Sequence, residues 1–512
     1  MKFDVIVIGA GPNGRMAAAY LAKRGKTVYV VDGATGVPGG HTRPVLNAPD
    51  FWAPLSYDGG AVLANVAREL RISTAVPEVS PIAFSVAAPD GSLLSVSTNP
   101  ADTQAIARFS KKDAERWPKF IKQFGKFSDI LGRVYQNPPP DIDTKSLGDI
   151  LPLAAIGLRV RGLGRADMTE FLRVPPMSIQ DYVDDNYESE LLRAAVASHA
   201  VRDVRQGPRS GGTTFNLLHH MVGVGRVGGR PWPEAFHRAV GRAMSAPGVS
   251  VRPGPEARVT RIIVKDGAVT GVLLASGEEI SAPIVISTAD PKQTLLNLIE
   301  PQWLDPEIGL AVQNIKMRGC TAYVMYTTDS APPDTFKAPV CLTSTTVALE
   351  KAADAAKYGE VSAEAHVEVW SPTLMSGWPT SEMAPAGQHV IVARMQYAPY
   401  KLTSGAWTSA DASALEKKVT AAIARVLPKF GDTVKNVRVL TPADIEKEFL
   451  VTEGALTHGE MMLDQIMFMR PIPGWGRYAM PIRGLFLGGA GAHPGPGILG
   501  GAGILAAKAA LK

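Results

Sequence analysis

Cysteine is almost absent. The 512 residues hold two, Cys320 and Cys341, which is too few for a disulfide framework, and neither has metal-ligand spacing. The chain therefore reads as one that folds in a reducing compartment, and a cytoplasmic location is the expectation. Blocks of like charge are absent too. The net charge is +5 at pH 7, yet no run of Lys or Arg is dense enough to grip nucleic acid, so a nucleic-acid partner is excluded from the reading. The slight basic balance favours anionic ligands or an anionic membrane surface. The opening MKFDVIVIGAG enters strand residues at once, without a charged n-region and cleavage site, so no secretory leader is expected. One long stretch lacks acidic and basic residues: Gly484 to Ala507, 24 residues, long enough to cross a bilayer. It carries nine Gly together with Pro494 and Pro496, so it reads as a turn-rich loop followed by a helix, because unpaired backbone in lipid is too costly.

Glycine is plentiful: 50 residues of 512, above the usual ~7%, as in a fold with tight turns against a ligand. At roughly 100–200 residues per domain, the length suggests two or three units. Residues 3–8 form an apolar run ending in glycine, residues 13–24 carry Met16, Ala17, Tyr20 and Leu21 at helical spacing, and residues 27–31 form a second strand closed by Asp32. The crossover is short and implies parallel strands. Helices are expected over 101–135 and 146–205, the latter broken at Pro175-Pro176, and again near 232–246. The stretch 207–230 reads as a glycine-rich connection. Strands are expected at 249–252, 256–264, 268–274 and 284–287, with Asp266-Gly267 turning a hairpin. Further strands are expected at 320–327, 364–370 and 388–396, and a helix at 409–427. The end repeats the opening pattern, with a strand at 484–488, a Gly/Pro loop and a helix from about 499.

The first chemical motif is GAGPNG, with Gly9, Gly11, Pro12, Asn13 and Gly14 between a strand and a helix. Gly9 permits the tight turn, Gly11 lets backbone approach a pyrophosphate, and Gly14 lets helix and strand pack closely. The helix N-terminus then offers N–H groups to phosphate. Asp32, at the end of the second strand, is placed to accept from ribose hydroxyls. The order strand, glycines, helix, strand, acid marks a dinucleotide site but does not separate FAD from NAD. Three further features point to FAD: the doublet Gly39-Gly40, the β-rich segment 250–291, and GLFLGGAGAHPGPGILGGAGILAAKAAL at 484–511, whose loop and helix can aim N–H groups at a flavin.

On these segments the chain resembles the phytoene-dehydrogenase-like FAD oxidoreductases, the branch beside carotenoid desaturases and flavin amine oxidases. The likeness extends to MSIQDYVDDNYESELLRAAVA (177–197), GPRSGGTTFNLLHH (207–220) and THGEMMLDQIMFMRPIPG (457–474), with GAHPGPG at 491–497 the most specific element. The resemblance implies an α/β fold: a discontinuous Rossmann-type FAD-binding domain from 1–75, 225–290 and 441–512, and a mixed α+β substrate or cap domain from 76–224 and 291–440. It also implies FAD contacts at Gly39, Gly40, His41, Thr42, Val259, Gly489, Ala490, Gly497, Ile498 and Leu499. Two departures stand out. Family members often carry Arg or Lys just after the ribose-binding acid, whereas Asp32 is followed by Gly33-Ala34-Thr35. No Cys lies near the C-terminal motif, so the FAD is expected to be non-covalent.

Proton-transfer candidates rest on histidine. His41 follows the glycine doublet, His493 lies in the C-terminal loop, and His220 sits in a family-matching cap segment beside His219. For each, a purely structural histidine is the competing reading. Arg470 is expected to brace the loop. The methionines of 461–469 suit either a tunnel lining or core. Residues 151–173 mix apolar residues with Arg159, Arg161, Arg165 and Arg173, which suits either a solvent-facing cap helix or peripheral contact with an anionic membrane. The expected activity is dehydrogenation of a C–C or C–N bond in a small-to-medium apolar substrate by hydride transfer to flavin, with a quinone, a protein or O2 as electron acceptor. Redox-neutral or reductive flavin chemistry, and an FAD-bearing interaction protein with little turnover, are the alternatives. Substrate identity and oligomeric state are not legible.

Overall fold

A computed structural model describes residues 2–33, 42–45, 48–74, 80–139, 147–375, 377–378 and 383–512. A five-stranded parallel sheet runs in the order Leu485–Leu487, Ile284–Ser287, Val5–Ile8, Val28–Asp32, Val249–Pro253. Val5 pairs with both Ile284 and Val28, so the first strand is central. It is covered on both faces, which is why VIVI and VYVV read as unbroken apolar runs instead of alternating. The strands come from the start, middle and end of the chain, and one sheet gathers them.

A three-stranded antiparallel sheet, Val259–Lys265, Ala268–Leu274 and Glu279–Ser281, follows the fifth parallel strand in sequence. Its first hairpin closes through Asp266 (φ 51°) and Gly267 (φ 70°), the doubly positive turn that matches strand twist. The largest sheet has seven strands, in the order Val434–Leu440, Thr321–Thr328, His389–Gln396, His366–Trp370, Val340–Cys341, Ile82–Ala87, Leu93–Ser97. It is antiparallel except where Val340–Cys341 meets Ile82–Ala87.

Helices pack beside this sheet. Lys111–Val134 starts at Ser110, whose hydroxyl accepts from the Asp113 N–H at 3.1 Å. Phe120, Phe124 and Phe127 recur at i, i+4 and i+7 on its buried face, against Tyr182 of Ile179–Asn186. Burial of each ring contributes on the order of 1.5–3 kcal/mol.

The stretch 207–230, glycine-rich in sequence, is not all loop. It contains the helix Thr213–Met221, and all nine of its residues are buried. Burial on all sides leaves its polar residues, Thr213, Thr214, Asn216, His219 and His220, without a wet face to mark, and the flanking glycines mask it further. Residues 150–173 are helical as expected, but none of them is buried.

Candidate active site

The strand Val5–Ile8 delivers Gly9 at φ 94°, a conformation that an L side chain rarely adopts. A Cβ on Gly14 would lie 1.9 Å from the Gly9 carbonyl oxygen, so only glycine lets the helix Pro12–Ala22 start this close to the strand. Gly11, between them, faces open space. It is the N-cap of that helix and offers no side chain, so the cap itself leaves the first helical N–H groups unpaired. Asp32 is buried, and its Oδ2 accepts from the Ala10 N–H at 3.1 Å, which fixes the acid beside the glycine turn.

These residues line one end of a cavity of about 1160 Å³, which is wider than the ~300–1,000 Å³ of ordinary small-ligand sites. Gly9, Gly11, Pro12, Asn13, Asp32 and Val259 are on its wall, whereas Gly14 acts behind the wall by packing. Arg15 and Arg258 reach the same end. Gly33 is itself constrained, because a Cβ there would come within 2.5 Å of Arg258 Cα.

The C-terminal loop forms another side. Ala490, Gly497, Ile498 and Leu499 line the cavity. Gly489 does not, since its own Cβ position is filled by the Thr288 carbonyl at 2.3 Å. The loop is zipped to residues 58–61: Ala61 N–H donates to the Gly497 carbonyl and Leu499 N–H to the Ala61 carbonyl, both at 2.8 Å. Arg470 holds the loop from behind. Its buried guanidinium donates to the carbonyls of Ala490, Thr457, Gly459, Glu460 and Gln465, as a brace should. Burial lowers its pKa to about 10.

The histidine candidates separate. His220 lines the cavity. Its Nδ1 accepts from Arg202 Nη2 at 2.6 Å, and burial followed by the Arg202 charge holds the ring neutral, well below its ordinary pKa. The neighbouring His219 donates from Nε2 to the Pro496 carbonyl and accepts at Nδ1 from the Tyr135 hydroxyl, both at 2.8 Å, so it ties the C-terminal loop to the cap. His493 is buried edge-on to Tyr135, is off the cavity wall, and is pushed down to about 4 by burial. His458 is on the wall. Gly39, Gly40 and His41 lie outside the described residues, and Thr42 opens the strand Thr42–Val45. None of Met461, Met462, Met467 and Met469 lines the cavity; Met461 is core.

The sequence did not flag the charged wall opposite the glycine turn. Asp58 takes Arg230 Nε at 2.7 Å and Nη2 at 2.8 Å, Arg202 Nη2 at 2.7 Å and the Gly60 N–H at 3.0 Å. Burial would raise this carboxyl, but the two guanidinium groups outweigh it and hold it well below the carboxylate range. Strand register builds the rest: Tyr323, Arg394 and Glu368 are direct neighbours across three strands of the large sheet. Arg394 bonds Glu368 and Asp203, and Arg202 bonds the Tyr57 hydroxyl at 3.0 Å. Burial works against the Glu368 charge as well, yet Arg394 lowers it to about 2. Only DGG at 58–60, beside the apolar run of 61–63, hinted at this wall. The lining also holds an apolar and aromatic set: Trp52, Leu55, Met383, Phe449, Val451 and Leu456.

The chain is 30% identical to the rat pyridine nucleotide-disulfide oxidoreductase domain-containing protein 2, over 99% of this chain and 93% of that protein. The chain belongs to the phytoene-dehydrogenase-like family of FAD-dependent oxidoreductases. It is 25% identical to a neurosporene-forming phytoene desaturase of Cereibacter sphaeroides, over 98% of this chain and 93% of that one. Among solved structures, an oxidoreductase from Methanosarcina mazei matches with a TM-score of 0.59 at 16% identity, over 99% of both chains, which bears on the fold alone. No protein-family model matches the chain. This oxidoreductase therefore combines a Rossmann-type fold with a large sheet that lines part of the cavity.

Proposed function

We propose that this oxidoreductase binds FAD non-covalently and dehydrogenates a C–C or C–N bond of a largely apolar substrate. The observation that carries the reading is the continuity of one cavity from the glycine turn and Asp32 to the apolar wall of Trp52, Leu55, Met383 and Phe449. Gly9, Gly11 and the start of the first helix would hold the diphosphate, Asp32 the ribose, and the loop Gly497–Leu499 the ring system. Bound FAD supplies the hydride acceptor. The chain's own part is to hold the reacting bond in position and to exclude water, and the apolar part of the lining suits both. Its two cysteines are buried and off the cavity wall, which supports a cofactor held without a thioether link. The desaturase name of the Cereibacter sphaeroides relative favours C–C bonds.

Anaerobic mixing of the purified protein with amines, polyenes and acyl compounds tests the reaction. Bleaching of the flavin by one class is the expected result and selects that class. No bleaching, with conversion only after added reductant, would replace dehydrogenation by redox-neutral or reductive chemistry. Reoxidation by O2 with peroxide release, or only by a quinone or a protein, names the acceptor.

Peripheral membrane contact is part of the reading. Leu151, Leu153, Leu158 and Leu172 are exposed on the helices Leu147–Gly162 and Arg165–Arg173, interleaved with exposed Arg159, Arg161 and Arg165. An apolar helix with a basic end suits an anionic lipid surface. These residues do not line the cavity, so the contact anchors the protein and does not form the doorway. Co-sedimentation with phosphatidylserine vesicles, lost in Leu151→Glu/Leu158→Glu, is expected; equal binding to neutral vesicles, or none, would contradict it. No helix among the described residues is long and apolar enough to cross a membrane.

A further inference from the structure

The charged wall is almost entirely closed to a ligand. Arg202, Arg230 and Arg394 have side chains 2%, 2% and 5% exposed, and Asp58 and Glu368 are 7% and 2% exposed. Asp203 differs: it lines the cavity and its side chain is 34% exposed. Its backbone sits at φ 61°, which costs an L residue strain and persists only where neighbours over-determine it. Gln396 is the neighbour that does so. Its Oε1 accepts the Asp203 N–H at 3.0 Å, while its Nε2 donates to the carbonyls of Val201 and Val204. Arg394, two residues earlier on the same face of the same strand, donates to Asp203 Oδ1 at 2.9 Å. The other oxygen, Oδ2, lies 4.0 Å from Arg202 Nε, beyond hydrogen-bond reach. A strained loop thus holds a part-exposed carboxylate on the wall of a cavity that Trp52, Leu55, Phe449 and Leu456 also line.

We propose that Asp203 is a substrate-binding residue that accepts a hydrogen bond from a hydroxyl, so that the substrate is an apolar molecule carrying an alcohol group. This rests on the cavity being the substrate site of the proposed dehydrogenase. The charge balance selects the alcohol. Arg202, Arg230 and Arg394 are matched by Asp58, Asp203 and Glu368, so the wall is neutral as it stands. An ammonium would meet a carboxylate that Arg202 and Arg394 already neutralise and would stand close to both guanidinium groups, and a carboxylate would face Asp203 itself. A neutral donor meets neither penalty. A bare hydrocarbon would cover the exposed part of the Asp203 carboxylate without offering it a hydrogen-bond donor, which is costly for a charged acceptor.

Calorimetric titration of the purified protein with benzyl alcohol, benzyl methyl ether, benzylamine and benzoate tests this, with FAD content measured on the same samples. Benzyl alcohol is expected to bind at least ~10-fold more tightly than the ether, which keeps the oxygen and loses the donor. The amine and benzoate are expected to bind more weakly than the alcohol. Asp203→Gly tolerates the left-handed backbone and removes only the carboxylate; it should bind alcohol and ether equally while keeping its FAD. Asp203→Asn, which keeps an acceptor, should retain part of the preference. Equal binding of alcohol and ether by the unaltered protein, preference for the amine or benzoate, or an undiminished preference in Asp203→Gly would overturn the proposal. A yellow protein without alcohol preference refutes this inference alone, and a protein without FAD that still discriminates refutes the flavin reading alone.

Discussion

At the scale of single residues, the site divides into positions that announce themselves and positions that do not. Gly9, Gly11, Gly14 and Asp32 are legible because their roles are local: a turn, an approach and a packing contact within 24 residues of chain. Asp32→Ala removes the clamp on Ala10 and, on the proposed reading, the ribose acceptor, so it should lower FAD affinity by about tenfold or more, read as FAD lost on gel filtration. Asp58 and its partners Arg202 and Arg230 lie 144 and 172 residues apart in sequence, and no spacing rule connects them. Arg470 shows the same limit in milder form. It was legible as a brace, yet its five carbonyl partners were not. Arg470→Met leaves those carbonyls buried, at roughly 1–3 kcal/mol for each that finds no water. The urea midpoint should fall clearly; an unchanged midpoint would mean that the loop holds without it.

At the scale of elements, periodicity served best where one face is wet. The hairpin at Asp266-Gly267 emerged as expected, and the helix expected over 101–135 is present as Gln104–Ala107 and Lys111–Val134, split at Ser110. The helix Thr213–Met221 did not, because it is short and its polar residues are buried with the rest, so they mark no wet face. The last helix has a requirement that is invisible in sequence: a Cβ on Gly503 would lie 2.0 Å from the Asn13 carbonyl at the start of the first helix. Gly503→Ala should therefore push apart the two helices that flank the glycine turn. Reduced FAD content with a lower Tm is expected, whereas Gly277→Ala, at a hairpin with nothing within 4 Å but φ 83°, should cost only about 1 kcal/mol and leave FAD content unchanged.

At the scale of the whole molecule, burial is spread unevenly over the titratable groups. Burial holds His199, His237, His366 and His493 at about 4 and His219 at about 3, against 6.5 when unfolded. Each is neutral in the folded protein and protonates first in the unfolded chain. Their neutrality costs nothing above pH 6.5 and opposes folding progressively as pH falls toward 4, by on the order of 1.4 kcal/mol per pH unit per histidine. Glu368, held near 2, adds a loss only below its unfolded value of about 4.5. Tm should be flat from pH 8 to 7 and fall steeply between pH 6.5 and 5. A Tm unchanged to pH 5 would mean that these rings charge in place.

The central claim is that segments from the two ends and the middle of the chain converge on one non-covalently held FAD. The most direct measurement is to purify the protein, denature it in acid, and quantify the flavin in supernatant and pellet by chromatography. The account predicts close to one FAD per chain, all of it in the supernatant. A colourless protein that takes up no added FAD, or flavin that stays with the precipitated chain, would contradict it.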